Sequence, residues 1–423
     1  MEIILYDMKR FLPLMLAVLC CACVKEKAVS TETLPGFLRS MKWTGVDIRT
    51  NDKGEEIQWD TLTVVFVDDS LGLYSLRSAY LQTYGAYAGN PGTTRKEFFS
   101  YGTEPFRYKA VGDQIVELQT YDGRSVRMEL DQPARLMLGD WDGFPEWRGS
   151  EILPSDRDWV NRARAQCGIC GPELFWKQSG NILNLRGKGP MFDYPSQEKV
   201  PWYGLGITAI LMDDGITSFG NWAFAGLILK EHNVVEMKIP ASVTRIGDYA
   251  FYRCSPLPVS FKKMDNLVIV GAHAFEQSAL SNFTVSGNMT TIGDYAFHDI
   301  PNLRLFFDGT SVRQIGAYAF TGFNPSGAIY ISSSTKQIGT HAFEGAFQTV
   351  VLNGFPSRMD QDAFVPYGGN ATLQLPFTQP PAVTGLPFEP REWNLRVPSG
   401  SKVLYQAASP WNQFKTISEY NPQ

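Results

Sequence analysis

The sequence predicts a mostly β protein in two parts: an N-terminal antiparallel β-barrel or sandwich, then a β-solenoid of about seven coils. Three observations carry this. Between residues 34 and 140, short runs of β-branched and aromatic residues alternate with Gly/Asp turns. From about 179 to 376 a pattern centred on Ala-Phe recurs seven times, its phenylalanines 27, 24, 22, 23, 23 and 21 residues apart. A near-fixed period in the twenties marks a solenoid. Charged residues make up 19% and hydrophobic ones 44% of the 423 residues, which excludes a wholly disordered chain.

Residues 1–23 read as an export signal. Lys9 and Arg10 precede an apolar run from Phe11 to Cys23, too short for a spanning helix, which needs about 20 residues. Met8 is a plausible start. The run ends in Leu19-Cys20-Cys21-Ala22-Cys23, followed at once by polar residues. This resembles a bacterial lipoprotein signal, with Cys23 the acylated residue and Cys21 the runner-up. A lipid on Cys23 would tether an otherwise soluble chain.

Residues 34–140 form the first expected domain. Its strands are Trp43–Ile48, Thr61–Val67, Gly72–Tyr80, Lys96–Tyr101, Pro105–Ala110, Gln114–Thr120, Ser125–Asp131 and Arg135–Gly139. Val111-Gly112-Asp113 and Tyr121-Asp122-Gly123 are hairpin turns. About eight strands with tight turns fit an up-and-down barrel or a sandwich, its interior holding a small ligand or filled by side chains. Residues 141–178 read as a Trp-bearing linker. Cys167-Gly-Ile-Cys170 is a lone CxxC lacking the further ligands a zinc site needs. It reads as a local disulfide or two loop thiols.

Residues 179–376 carry the repeat. Four residues before each Phe of Phe224, Phe251, Phe275, Phe297, Phe320 and Phe343 stands a glycine, replaced by Asp360 before Phe364. Such a glycine suits a corner with positive φ. Asn221, Asp248, Asp294 and Thr340 follow it and are expected to accept hydrogen bonds from one helical turn. Alternating apolar residues predict a half-buried strand per coil: Val235/Met237/Ile239, Leu303/Leu305/Phe307, Ile329/Ile331, Val350/Leu352 and Leu373/Leu375. Two residues before each Phe runs Trp222, Tyr249, His273, Tyr295, Tyr318, His341 and Asp362. His273 and His341 thus replace rings in one packed column. Cys254 falls in a mostly apolar column. Residues 377–423 read as a closing cap.

Ile-Gly-Asp-Tyr-Ala-Phe at 246–251 and 292–297, with Ile-Pro-Ala-Ser-Val-Thr-Arg-Ile-Gly at 239–247, closely resembles the BspA-like class of leucine-rich repeats, whose period lies in the same range. The lead-in Gly187–Tyr194 and the tail Leu395–Gly400 and Tyr405–Ile417 resemble the start and end of that solenoid. Residues 43–131 more loosely resemble lipocalin-like modules of bacterial lipoproteins. The first resemblance implies a surface-exposed, non-enzymatic bacterial protein of the adhesion type.

Nothing in the sequence argues for catalysis. It has four His and no G-x-S-x-G, P-loop or H-E-x-x-H, so no catalytic, metal or cofactor residue is assigned. The adjacent pairs Asp68-Asp69 and Asp213-Asp214 read as solvated. Net charge −5 argues against a broad nucleic-acid footprint. The expectation is an outer-membrane lipoprotein on the cell surface, touching the membrane through its anchor only. It would bind a protein or large glycan through outward strand residues Glu236, Lys238, Arg304, Tyr330 and Gln374. The alternative is a glycan-binding lipoprotein of a nutrient-uptake system, stacking sugars on exposed Trp and Tyr rings.

Overall fold

The computed structural model describes residues 34–50, 53–84, 93–132, 134–141, 144–229, 238–255, 264–300, 303–307, 311–323, 327–383 and 386–421. The signal, Cys23 and Glu236 lie outside these residues.

A short helix, α1 (Leu34–Arg39), leads into eight antiparallel strands: β1 (Met41–Thr50), β2 (Glu56–Phe66), β3 (Leu71–Tyr84), β4 (Thr93–Val111), β5 (Ile115–Thr120), β6 (Ser125–Asp131), β7 (Leu136–Trp141) and β8 (Phe144–Glu151). Each pairs with the next, and β8 returns to β1 with Met41 opposite Glu151, closing an up-and-down barrel. The sequence count of eight is met differently from expectation. Lys96–Tyr101 and Pro105–Ala110 are one strand, because Gly102, at φ +85°, sits at a register shift and not a turn, and Thr103, Glu104 and Pro105 go on pairing with Ser75, Tyr74 and Leu73. The eighth strand falls in the expected linker, its pattern obscured by Pro145 and Gly149.

Aromatic side chains fill the barrel. Trp43, Trp141, Trp147, Phe66 and Phe106 are fully buried, and Trp141 meets Phe106 and Tyr74 edge to face at 5.3 and 5.1 Å. Gly72 makes room for this core: a Cβ there would lie 1.9 Å from Phe106 Cζ.

The rest of the expected linker is also structured. Helix α2 (Pro154–Arg164) packs Trp159, Val160 and Ala163 against Leu73 and Cys167, and Lys42 Nζ holds its first turn through Asp156 at 2.9 Å. β9 (Cys167–Gly171), β10 (Glu173–Ser179) and β11 (Ile182–Pro190) form an antiparallel meander. β11 then pairs in parallel with β12 (Ala209–Met212) and β13 (Gly215–Phe219), which starts the solenoid. Cys167 and Cys170 are free thiols in β9, both buried, not loop thiols or a disulfide. Cys167 packs with Leu73 and Ala163, whereas Cys170, at a bulge in the strand, packs into the solenoid core. The barrel rests on the meander. Arg107 Nη1 donates to the carbonyls of Gly171 (2.9 Å) and Pro172, Lys177 meets Glu104 at 3.1 Å, and Tyr121 packs edge-on to Phe175.

From β13 onward one wall is a parallel ladder of residue pairs, Ser218-Phe219, Arg245-Ile246, Ile269-Val270, Thr291-Ile292, Gln314-Ile315, Gln337-Ile338 and Arg358-Met359. From Arg245 to Arg358 the first of each pair is the more exposed and the second packs toward the core, whereas in the first pair Ser218 is buried as well as Phe219. A second set of strands runs through Asn282–Val285 and Arg304–Phe307, then through Ile329–Ile331, Thr349–Leu352, Thr372–Gln374, Asn394–Pro398 and Thr416–Tyr420. Phe283, Ile329, Ile331, Val350, Leu352, Leu373 and Leu395 turn inward into one continuous core. The ladders continue beyond the seven Ala-Phe coils at both ends.

Candidate binding surface

The coil is built from its corner outward. None of the six corner glycines has positive φ, although the sequence suggested it. They are needed because coils touch there: a Cβ on Gly293 would lie 2.5 Å from Ala272 N and 2.6 Å from Gly271 C. Positive φ falls two residues later, at Trp222, Tyr249, His273, Tyr295, Tyr318, His341 and Asp362, between +50° and +62°. There the backbone N–H donates to the coil ahead, as from His273 to Asp294 O at 2.8 Å and from Tyr295 to Ala317 O at 2.9 Å. A left-handed non-glycine residue costs about 1–2 kcal/mol, and ring stacking returns some 0.5–1.5 kcal/mol per pair.

That stacking is unbroken. Trp222, Tyr249, His273, Tyr295, Tyr318 and His341 lie face to face at 4.1, 4.4, 4.9, 4.9 and 5.0 Å, with tilts of 13° or less. Both histidines occupy the packed column, as the register implied. One strip inward, Phe224, Phe251, Phe275, Phe297, Phe320, Phe343 and Phe364 form a second, buried stack spaced 5.1–5.3 Å. The residues after the glycines accept from the next coil's backbone, not from a helical turn. Asn221 Oδ1 takes Asp248 N, Asp248 Oδ1 takes Ala272 N, and Asp294 Oδ1 takes Ala317 N, each at 2.8 Å. Thr340 instead donates, to Gln361 O at 2.7 Å.

Beside the outer stack runs a polar strip. His273 Nδ1 meets Glu276 Oε2 at 2.5 Å, and His341 Nδ1 meets Glu344 Oε2 at 3.0 Å. His298 Nδ1 lies 3.5 Å from Glu276 Oε1. Among the described residues no group of His, Cys, Asp or Glu has a metal-holding arrangement. Cys254 is fully buried beneath this strip, and burial pushes its thiol up to about 12.

The proposed contact residues separate into sites. Tyr330 is 51% exposed and stands in register with Val351, Gln374, Arg396 and Ser418 across one five-stranded sheet. Tyr330 and Gln374 therefore share a row. Arg304 is exposed but pairs with Asn282 in a separate two-stranded sheet. Lys238 is exposed, 3.9 Å from Asp214. The sequence reading overlooked Arg396, whose guanidinium lies 5.2 Å from the Tyr420 ring centre. The alternation Leu395-Arg396-Val397 carried the signal.

In the outer stack Tyr249, His273, Tyr295 and Tyr318 are each covered on both faces by neighbouring rings, and Trp141, Trp147 and Trp176 are buried, whereas Tyr203, Tyr330 and Tyr367 are exposed.

Residues 228–349 match the model of the BspA type leucine rich repeat region in six copies, so this segment is made of such repeats. No curated protein matches the chain. A leucine-rich repeat protein from Eubacterium ventriosum is 17% identical, with 60% of this chain and 72% of that one covered and a TM-score of 0.30. One from Bacteroides ovatus is 14% identical, with 59% and 76% covered and a TM-score of 0.27.

Proposed function

We propose that this protein is a lipid-anchored, adhesion-type interaction protein of the bacterial outer membrane, displayed at the cell surface. It binds a protein, or a large glycan, through the repeat solenoid. The observation that carries this is the row Tyr330, Gln374, Arg396 and Ser418 on strands of one sheet, kept in register through the buried Val351 between Tyr330 and Gln374. Such a row is broad and shallow, unlike the concave pockets that hold small molecules, and regular solenoid faces suit large partners. Arg304 and Lys238 extend the polar surface to earlier coils, as does Glu236 by its place in the strand pattern. The barrel and meander act as a rigid base holding the solenoid away from Cys23. BspA-type repeats across 228–349 support the interaction role. Burial of ring faces in the outer stack favours a protein partner over glycan stacking.

The test is pull-down from surface extracts with the whole chain and with Tyr330→Asp/Arg396→Glu. Capture should fall at least tenfold in the variant and be unchanged in His232→Ala. Equal capture by both variants would remove this row as the contact. Cys23→Ser should separately release the chain from the membrane fraction; retention without lipid on Cys21 would remove the anchor reading.

A further inference from the structure

A cleft of about 530 Å³ opens at the end of the barrel where α1 enters and α2 leaves. Its floor is the end of β2 and the residue after it, Val65, Phe66 and Val67; the first two are almost fully buried. One wall is α2, which presents Arg157, Val160, Asn161 and Arg164. These positions are spaced i, i+3, i+4 and i+7, a single helical stripe, with the two arginines two turns apart at its ends. Arg39 and Ser40, closing α1, form the opposite wall. Arg39 is paired with Asp69. Arg157 and Arg164 are exposed and have no ion-pair partner among the described residues. One carboxylate, that of Glu151, also lines the cleft. In a chain of net charge −5, this is a local excess of unpaired guanidinium over an apolar floor.

We infer that the cleft binds the phosphate-bearing headgroup of an anionic lipid, with Arg157 and Arg164 on the phosphate and Val65–Val67 against the adjoining apolar part. Guanidinium groups match phosphate oxygens in planar, paired hydrogen bonds. Asn161 supplies an uncharged amide between them. The place in the chain fits this ligand. Arg39 and Ser40 end the first described helix, which begins at Leu34, eleven positions after Cys23. That stretch reaches at most about 40 Å. If Cys23 carries the lipid, the cleft end of the barrel stays near the headgroup layer, where an anionic surface attracts basic side chains. The chemistry of the cleft stands without the anchor, and so does its test.

The experiment uses the chain from residue 23 onward with Cys23→Ser, which keeps every described residue and removes lipidation. It measures flotation with vesicles of phosphatidylcholine alone and of phosphatidylcholine with 30% phosphatidylglycerol, a composition chosen for the assay. The unaltered chain should float only with the anionic vesicles, and less so as salt rises. Arg157→Gln/Arg164→Gln should weaken this at least tenfold. Arg162→Gln, on the same helix but outside the cleft, should retain it. Thermal melting of each variant shows that the barrel is folded; should the double variant fail to fold, the two single variants take its place. Glycerol phosphate added in solution should compete with vesicles for the cleft. Equal flotation with neutral vesicles, or equal loss in Arg162→Gln, overturns the inference. Binding of inorganic phosphate without vesicle binding overturns the lipid assignment and leaves a site for free phosphate.

Discussion

Three glycine-to-alanine substitutions separate the two reasons a coil can need glycine. At Gly293 the backbone is not left-handed, but an added Cβ meets Ala272 N, Gly271 C and Ala272 Cα at 2.5, 2.6 and 2.8 Å. These atoms are main chain of the preceding coil, so no rotamer relieves the clash and the coils must part. Overpacking of this kind costs about 1–3 kcal/mol, and rigid partners place Gly293→Ala at about 3. At Gly322 the φ is +82° and the nearest atom would be 3.8 Å away. Only backbone strain opposes Gly322→Ala, about 1–2 kcal/mol. Gly327 has neither restriction, and alanine there should be neutral or stabilise by about 0.5 kcal/mol through the unfolded chain. Because solenoids need not unfold in one step, the assay is urea-dependent hydrogen exchange of amides in the substituted coil and its neighbours. The expected order of loss is Gly293, then Gly322, then Gly327. A loss at Gly293 no larger than at Gly322 would refute close approach as the reason for the corner glycines.

Two further outcomes follow from the buried stacks. Phe297 meets Phe275, Phe283 and Phe320 at 5.3, 4.7 and 5.2 Å, whereas Phe364 stacks on Phe343 at 5.3 Å; Phe297→Ala should cost about 3–5 kcal/mol and Phe364→Ala about 1–3 kcal/mol less, read by the same exchange experiment, with equal losses counting against nearest-neighbour stability. The Cys254 thiol, raised to about 12 by burial, stays protonated at pH 8, so iodoacetamide should leave it unlabelled in the folded chain and label it in 6 M urea, a concentration chosen to unfold typical domains; rapid labelling without denaturant, scored by peptide mass, would contradict its burial.

The coil period and the contents of its columns were legible because each repeat aligns chemistry seven times over. The stacked roles of His273 and His341 followed from register alone. Local conformation was less legible. Nothing in Gly-Asp-Tyr-Ala-Phe says which residue turns left-handed, since that depends on amides reaching the next coil, a contact absent from any single repeat. In the barrel, Gly102-Thr-Glu-Pro105 has the composition of a turn, yet Gly102 sits at a register shift and the three residues after it pair within the same strand. Phe144–Glu151 has Pro and Gly within it and still closes the barrel, because its partners β1 and β7 supply the pairing. The cleft beside α2 had no sequence signature: its walls come from residues 39, 65–67 and 157–164, joined only by barrel closure.

The contacts between coils also dictate how this chain can change in length. From corner residue to phenylalanine the distance is four residues in all seven repeats, Asp360 included. The whole spread of spacings, from 21 to 27, therefore falls after the phenylalanine. Between corner and phenylalanine the Asx ladder, the left-handed amide and two ring stacks are each keyed to the neighbouring coil, and one inserted residue would put all of them out of step. After it, extra residues can loop outward at the turns that flank the paired strands, leaving the strand ladders in step. Such a solenoid can gain whole repeats by duplication and diversify its loops, while the four-residue frame works as a fixed joint between modules.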